Sequence, residues 1–282
     1  MKEVRIEYRR WGIFRKRIDL RAPESWIDLT AGQFATCAKV HTDRLQDEDF
    51  IAGFFGTGKR IARRLTKFEQ YRLIELANFA ADPKSTVNFF YIEKIRCASL
   101  FAPEKKLHGI TIEHFMLFDT FFFDYLNEPN DDNLAKFIAC LYLKGRVKIM
   151  KWKTVIEKEK VTEVDFSRRV ELISRCADKS TQYAIFLNYT FVRKWLAKAF
   201  PLLFVFREPG DDDGKPSKRT RRKQPAASPG KRNRPDWVAI FDNFVGDDII
   251  HYDRYRQIPC TLVFRQINRR IADYNKLKYG KK

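Results

Sequence analysis

The sequence predicts a mainly α-helical protein with a small N-terminal β-hairpin or sheet, followed by a short helical C-terminal module after a disordered basic linker. Three observations predict it. Capping residues recur just ahead of apolar stripes at helical spacing. The first twenty residues alternate instead, and turn near Trp11-Gly12. The stretch Gly214 to Arg234 holds nine Lys or Arg and no acid, so it buries too little apolar surface to offset its ordering entropy.

Within 1–21, VRIEYRR and FRKRIDL read as two strands of a hairpin. The main helical domain spans 22–207. Thr30 and Gln33 have the form of a capping box, in which each side chain satisfies an orphan backbone donor of the new helix. Phe34, Cys37, Ala38 and Val40 line the inner face of that helix. A second uses Phe50, Ile51, Phe54 and Phe55 and ends at Gly56. Thr66 and Glu69 repeat the capping box ahead of an inner stripe of Phe68, Leu73, Leu76, Ala77 and Ala80, stopped by Asp82-Pro83. Residues 86–101 are β-prone and are expected to pair with the N-terminal hairpin.

Thr111 opens the helix IEHFMLFDTFFFDYL, and Asn130-Asp131-Asp132 start LAKFIACLYLKG. After a polar stretch, Thr162 and Asp165 begin a helix through about Cys176. The longest helix covers 180–199, with Tyr183, Phe186, Leu187, Phe191, Trp195, Leu196 and Ala199 inward, and Pro201 ends it. The basic linker covers 208–235. In the C-terminal module, 236–282, Asp236 caps WVAIFDNFVG, and Pro259 enters a final amphipathic helix.

The formal charge is +19, of which residues 1–21 hold +5, the Gly214–Arg234 stretch +9 and residues 265–282 +6, leaving −1 for the rest. A nearly neutral body with basic extremities favours polyanion contact through flexible arms over a broad binding face on the body. The polyanion-binding candidates are Lys218, Arg219, Arg221, Arg222 and Lys223. Cysteines 37, 97, 140, 176 and 260 form no CxxC pair and read as reduced thiols of a cytoplasmic protein. No run approaches the ~18 apolar residues that suggest a membrane span, and the N-terminus lacks the apolar block of a signal peptide.

Catalytic constellations do not emerge. Gly53-Phe54-Phe55-Gly56-Thr57-Gly58-Lys59-Arg60 approaches a phosphate-binding loop. A helical segment precedes it, however, and Arg60 stands where a magnesium-holding hydroxyl is needed, so a helix-to-helix turn is the better reading. Histidines 41, 108, 114 and 251 lack metal-ligand spacing. Glu113, Asp119 and Asp124 read as caps and solvated faces. Neither Ser180-Thr181 nor Ser25 has a base at a useful spacing. No cofactor is expected.

The aromatic residues carry the interaction reading. Phe118, Phe121, Phe122, Phe123 and Tyr125 cover more than one helix face, and Asp119 and Asp124 beside them would repel a phosphate backbone. That leaves core packing or a protein-binding surface, with Phe118 and Phe122 as partner-binding candidates. The C-terminal module is too small to bury all its rings alone, so Trp237, Phe241 and Phe244 join them.

PESWIDLTAGQF, TIEHFMLFDTFFFDYL with NLAKFIACLYLKGR, and the terminal WVAIFDNFVGDDI together resemble a loose family of phage and prophage tail-morphogenesis proteins, similar in layout to tail assembly chaperones. The similarity spans most of the chain. His114 stands where Glu is usual in that pattern, and Leu143-Lys144 where Tyr-Arg would lie. The resemblance implies a non-enzymatic protein of the host cytoplasm that holds a phage tail or tape-measure protein. The competing readings are a nucleic-acid-binding accessory protein, acting through the linker and last helix, and a structural component of the virion.

Overall fold

A computed structural model describes residues 2–10, 14–42, 45–81, 85–150, 153–159, 165–204 and 234–279. The linker candidates Lys218, Arg219, Arg221, Arg222 and Lys223 lie outside the described residues, as does Thr162.

Strands β1 (Lys2–Arg10) and β2 (Phe14–Ala22) pair antiparallel, with Ile6 opposite Ile18. Val4, Ile6, Tyr8, Leu20 and Ala22 are buried, while Arg5 and Asp19 pair across the outer face at 2.7 Å. The period of two thus places one apolar face against the helices.

Helices α1 (Ala31–Thr42), α2 (Asp47–Phe55), α3 (Lys59–Ala62) and α4 (Lys67–Glu75) follow. Both expected capping boxes form. The Thr30 amide donates to Gln33 Oε1 at 2.9 Å, and the Thr66 amide to Glu69 Oε2 at 2.9 Å. Gly53 lies inside α2, where an added Cβ would fall 2.5 Å from Thr36 Oγ1 of α1. Gly56 ends α2 in the left-handed region at φ 67°. Gly53 and Gly56 of the near phosphate-loop pattern therefore serve helix packing and helix termination.

The expected stripe is inward at Leu73, Ala77 and Ala80, with Leu76 partly buried, and only Phe68 departs from it. Gln70, Leu73 and Ala77 face inward, whereas Phe68 is 70% exposed. The Ala62 carbonyl at the end of α3 needs a donor, and Gln70 Nε2 supplies it from inside at 3.0 Å. Turning Gln70 inward turns Phe68 out.

A second sheet replaces the expected pairing of 86–101 with the N-terminal hairpin. Strands β3 (Lys94–Ile95), β4 (Leu100–Phe101), β5 (Leu143–Met150) and β6 (Lys153–Lys158) form an antiparallel sheet in that order. Leu100 lies opposite Lys144 and Val147 opposite Ile156. The stretch read from sequence only as polar thus contains a β-hairpin.

Helices α5 (Ile112–Asn127), α6 (Asp131–Leu141), α7 (Phe166–Cys176) and α8 (Lys179–Ala199) form the centre. Thr111, Asn130, Asp165 and Asp178 each cap one through a side-chain oxygen. α6 packs on α5, α7 and α8, and α1 packs on α8. Helices α9 (Trp237–Val245), α10 (Tyr252–Arg256) and α11 (Cys260–Tyr279) make the C-terminal module. Its apolar residues belong to the same continuous core as those of the hairpin and the central helices.

Candidate functional site

The most elaborate polar arrangement among the described residues sits where α5, α8 and α9 meet. Asp119 is fully buried in the middle of α5. The Tyr189 hydroxyl donates to its Oδ1 at 2.6 Å, and the Trp237 indole Nε1–H to its Oδ2 at 2.8 Å. Arg193, one turn beyond Tyr189 on α8, lies 3.4 Å from Oδ1. Its guanidinium packs over Phe123 at 4.5 Å and Phe122 at 5.4 Å. A buried carboxylate is tolerated only when paired and hydrogen-bonded, and this one has both.

The rings around it explain why Asp119 stays dry. Phe118 packs edge-on to Tyr189, Phe122 stacks on Phe186, and Trp237 meets Phe115 edge-on at 5.1 Å. Phe264 of α11 also reaches Phe115, at 4.7 Å. Burial, reinforced by the Asp119 carboxylate, pushes the Tyr189 phenol well above its ordinary value. Tyr189 is therefore a fixed donor with no tendency to act as a base, and the arrangement works as a bolt between α5, α8 and α9.

Backbone bonds fasten the rest of the module to α5. The Ile112 amide donates to the Ile258 carbonyl, and the Cys260 amide to the Ile110 carbonyl, both at 2.9 Å. Gln257 Nε2 donates to Glu113 Oε2 at 3.0 Å, and Arg234 pairs with Asp124 at 3.2 Å. Glu113, Asp119 and Asp124, read from sequence as caps or solvated faces, are anchors for the C-terminal segment. For Asp119 the solvated-face reading is overturned by its complete burial.

The aromatic candidates divide accordingly. Phe118, Phe122, Trp237 and Phe241 are buried in this conformation and offer no ring to a partner, while Phe244 is half-buried under Arg270. The sequence carried one signal of the bolt: an acid at position 119 in the midst of aromatic residues, which needs partners if it faces inward.

Other buried polar side chains are structural as well. His114 lies 2.6 Å from the Cys140 carbonyl through Nε2, so that nitrogen carries the proton. Asn188 accepts from the Tyr91 amide at 2.7 Å and donates to the Phe89 carbonyl at 3.0 Å, holding an extended segment as a strand neighbour would. Arg169 pairs with Glu159 at 2.5 Å and donates to the Ala139 carbonyl at 3.3 Å. It borders a cavity of about 190 Å³ lined by Leu117, Phe121, Cys140, Leu143 and Phe166. Among the described residues no group of three or more His, Cys, Asp or Glu is arranged to hold a metal ion. No helix there is long and apolar enough to cross a membrane.

In comparisons with protein-family models, curated proteins and solved structures, nothing matches this chain.

Proposed function

We propose that the protein is a non-enzymatic phage morphogenesis factor of the tail assembly chaperone kind, which binds a tape-measure or tail protein through the outer side of its C-terminal helices. The resemblance of the three sequence stretches supplies the biological class. The structural support is the distribution of uncovered apolar surface. Ile250 is 92% exposed, Ile249 77% and Leu277 75%, with Val238, Leu262 and Tyr274 also exposed on the same C-terminal segment. Exposed aliphatic and aromatic side chains on a bolted segment are suited to an apolar client. The inner stripe of α11, Cys260, Val263, Phe264 and Ile267, is used by the core. The contact surface is therefore the outward side and not the buried rings of Trp237 and Phe241.

The test is a pull-down of the tape-measure or tail protein encoded beside this chain, with wild type and with Ile249→Asp/Ile250→Asp. Circular dichroism provides the folding control. The reading expects capture by wild type and a loss of about tenfold or more in the variant, as for a hot spot worth ~1.4 kcal/mol or more. Equal capture by both would move the surface elsewhere, and no capture by wild type would remove the client reading.

A further inference from the structure

The outward face of α3 and α4 is not used by the client reading and has a chemistry of its own. Residues 59–75 contain six Lys or Arg against two Glu, a local charge of +4 within a body whose sum is −1, so the rest of that body is −5. Arg60, Arg63 and Arg64 fall at helical spacing around α3, and Arg72 lies on α4. All four are exposed, with no carboxylate partner among the described residues. The acids nearby are mostly engaged elsewhere: Asp49 holds Lys59 at 2.7 Å, and Glu69 Oε2 accepts from both the amide and the hydroxyl of Thr66.

Two exposed rings lie in the same stretch of chain. Phe68 and Tyr71 are each 70% exposed, three residues apart on the same outward side of α4, a spacing that makes helix residues neighbours. The orientation is fixed from inside. Gln70 bonds the end of α3, Leu73 is buried, and the Thr66–Glu69 capping box closes the first turn. The rings are therefore presented by a rigid element and do not belong to a fraying end.

We infer that the α3–α4 face is a binding surface for single-stranded nucleic acid, with Phe68 and Tyr71 as stacking platforms and Arg60, Arg63, Arg64 and Arg72 as phosphate contacts. Neighbouring exposed rings offer π-faces to successive unpaired bases, and a basic surround tracks the backbone. A duplex keeps its bases stacked and offers only its phosphates to the same face, so single strands are preferred. An apolar peptide would need a continuous rim, yet Phe68 and Tyr71 are the only large hydrophobic side chains recorded as strongly exposed between residues 45 and 81. The residues of this surface are distinct from those of the C-terminal segment.

Fluorescence anisotropy of a labelled thymidine oligomer tests the inference on the full chain in which Lys218, Arg219, Arg221, Arg222 and Lys223 are all replaced by Ser. The linker stretch then keeps four of its nine basic residues, the same in every variant compared. Phe68→Ala/Tyr71→Ala is expected to weaken binding about tenfold or more, with an unchanged melting temperature and an unchanged salt slope. Arg60→Gln/Arg63→Gln/Arg64→Gln should flatten the slope of log affinity against log salt by about 2, for three lost contacts to a single strand. Duplex DNA of the same length should bind more weakly than the oligomer. Oligomer binding unaffected by the ring substitutions would overturn the inference. So would duplex bound as tightly as the single strand, or polyglutamate competing as well as unlabelled oligomer, which would mark a surface for acidic peptides.

Discussion

Phe118 on α5 and Phe68 on α4 each stand three residues from another ring, yet Phe118 is fully buried and Phe68 is 70% exposed. The sequence leaves Phe118 open to either core or surface and places Phe68 inside. α5 has rings on more than one face and two acids among them, a pattern that fits core packing or a surface available to partners. α4 has a single apolar stripe that would place Phe68 inside. What separates the two helices is the polar group that each turns inward. On α5 it is Asp119, met by Tyr189, Arg193 and Trp237, so the helices that carry them cover Phe115, Phe118 and Phe122 as well. On α4 it is Gln70, met by one carbonyl of the preceding helix, and among the described residues Phe68 and Tyr71 on the opposite side stay 70% exposed. Aromatic density alone does not distinguish core from surface; the partners of the buried polar residue do.

Removing the inward acid should have the largest effect. Asp119→Ala leaves Arg193 near the core without its carboxylate and strands the Tyr189 and Trp237 donors, and breaking such a pair costs about 3–5 kcal/mol. Chemical denaturation of wild type and variant measures it. A cost below ~1 kcal/mol, the range of an exposed pair, would mean that α5 is as open as α4 and that the comparison fails.

Trp237→Phe separates the hydrogen bond from the ring. The phenyl ring retains much of the packing against Phe115 and Phe264, while Asp119 loses a donor, and a hydrogen bond to a charged group is worth about 1.5–3 kcal/mol. Trp237→Ala adds a cavity, for a total of about 3–5 kcal/mol. Trp237→Ala is accordingly a poor probe of partner binding, because it disturbs the bolt itself. If Trp237→Phe and Trp237→Ala prove equally mild, α9 is not held by Asp119.

The same inside–outside contrast runs through the thiols. Burial pushes Cys37, Cys140 and Cys260 up to about 12, whereas Cys97 is exposed and donates to the Cys176 carbonyl at 3.3 Å. In the unfolded chain each buried thiol returns to an ordinary value near 9. Between the two values the folded state holds protons that the unfolded state has released. Stability is thus fully present below pH ~9 and falls as pH rises toward ~12, by about 1.4 kcal/mol per pH unit for each thiol. Denaturation midpoints between pH 8 and about 10.5 give the slope. Cys140→Ala should reduce it by one thiol's share, and a flat profile would mean that these three sites are open to solvent.

Much of this fold was legible wherever a local rule was sufficient. Thr30, Thr66, Thr111, Asn130, Asp165, Asp178 and Asp236 all lie at helix starts, because a cap is satisfied within its own first turn. Of these only Asp178 had not been singled out from sequence. The β5–β6 hairpin was missed although Val147-Lys148-Ile149 alternates as a strand does; its charges gave the stretch the look of a solvated connection. The pairing of β4 with β5 and the meeting of Asp119 with Trp237 join residues distant in the chain, and no cap or stripe encodes such contacts. The outward turn of Phe68 on α4 is not legible for a related reason: Gln70 is polar, and only its bond to Ala62 shows that it faces inward.

The smallest expected effect gives the sharpest check on α4. Phe68→Ala removes a ring that contributes little to the core, so the change in unfolding free energy should stay within about 0.5 kcal/mol, as for surface substitutions generally. Leu73→Ala, five residues on and fully buried, should cost about 2–5 kcal/mol. Both changes leave the Thr66–Glu69 box and the Gln70 bond in place, so their ratio reports the rotation of the helix and little else. Leu73→Ala as mild as Phe68→Ala would mean that α4 is loosely attached. A cost for Phe68→Ala comparable to that of Leu73→Ala would mean that the ring turns inward in solution. Either result would withdraw the platform on which the α3–α4 nucleic-acid surface depends, before any oligomer is added.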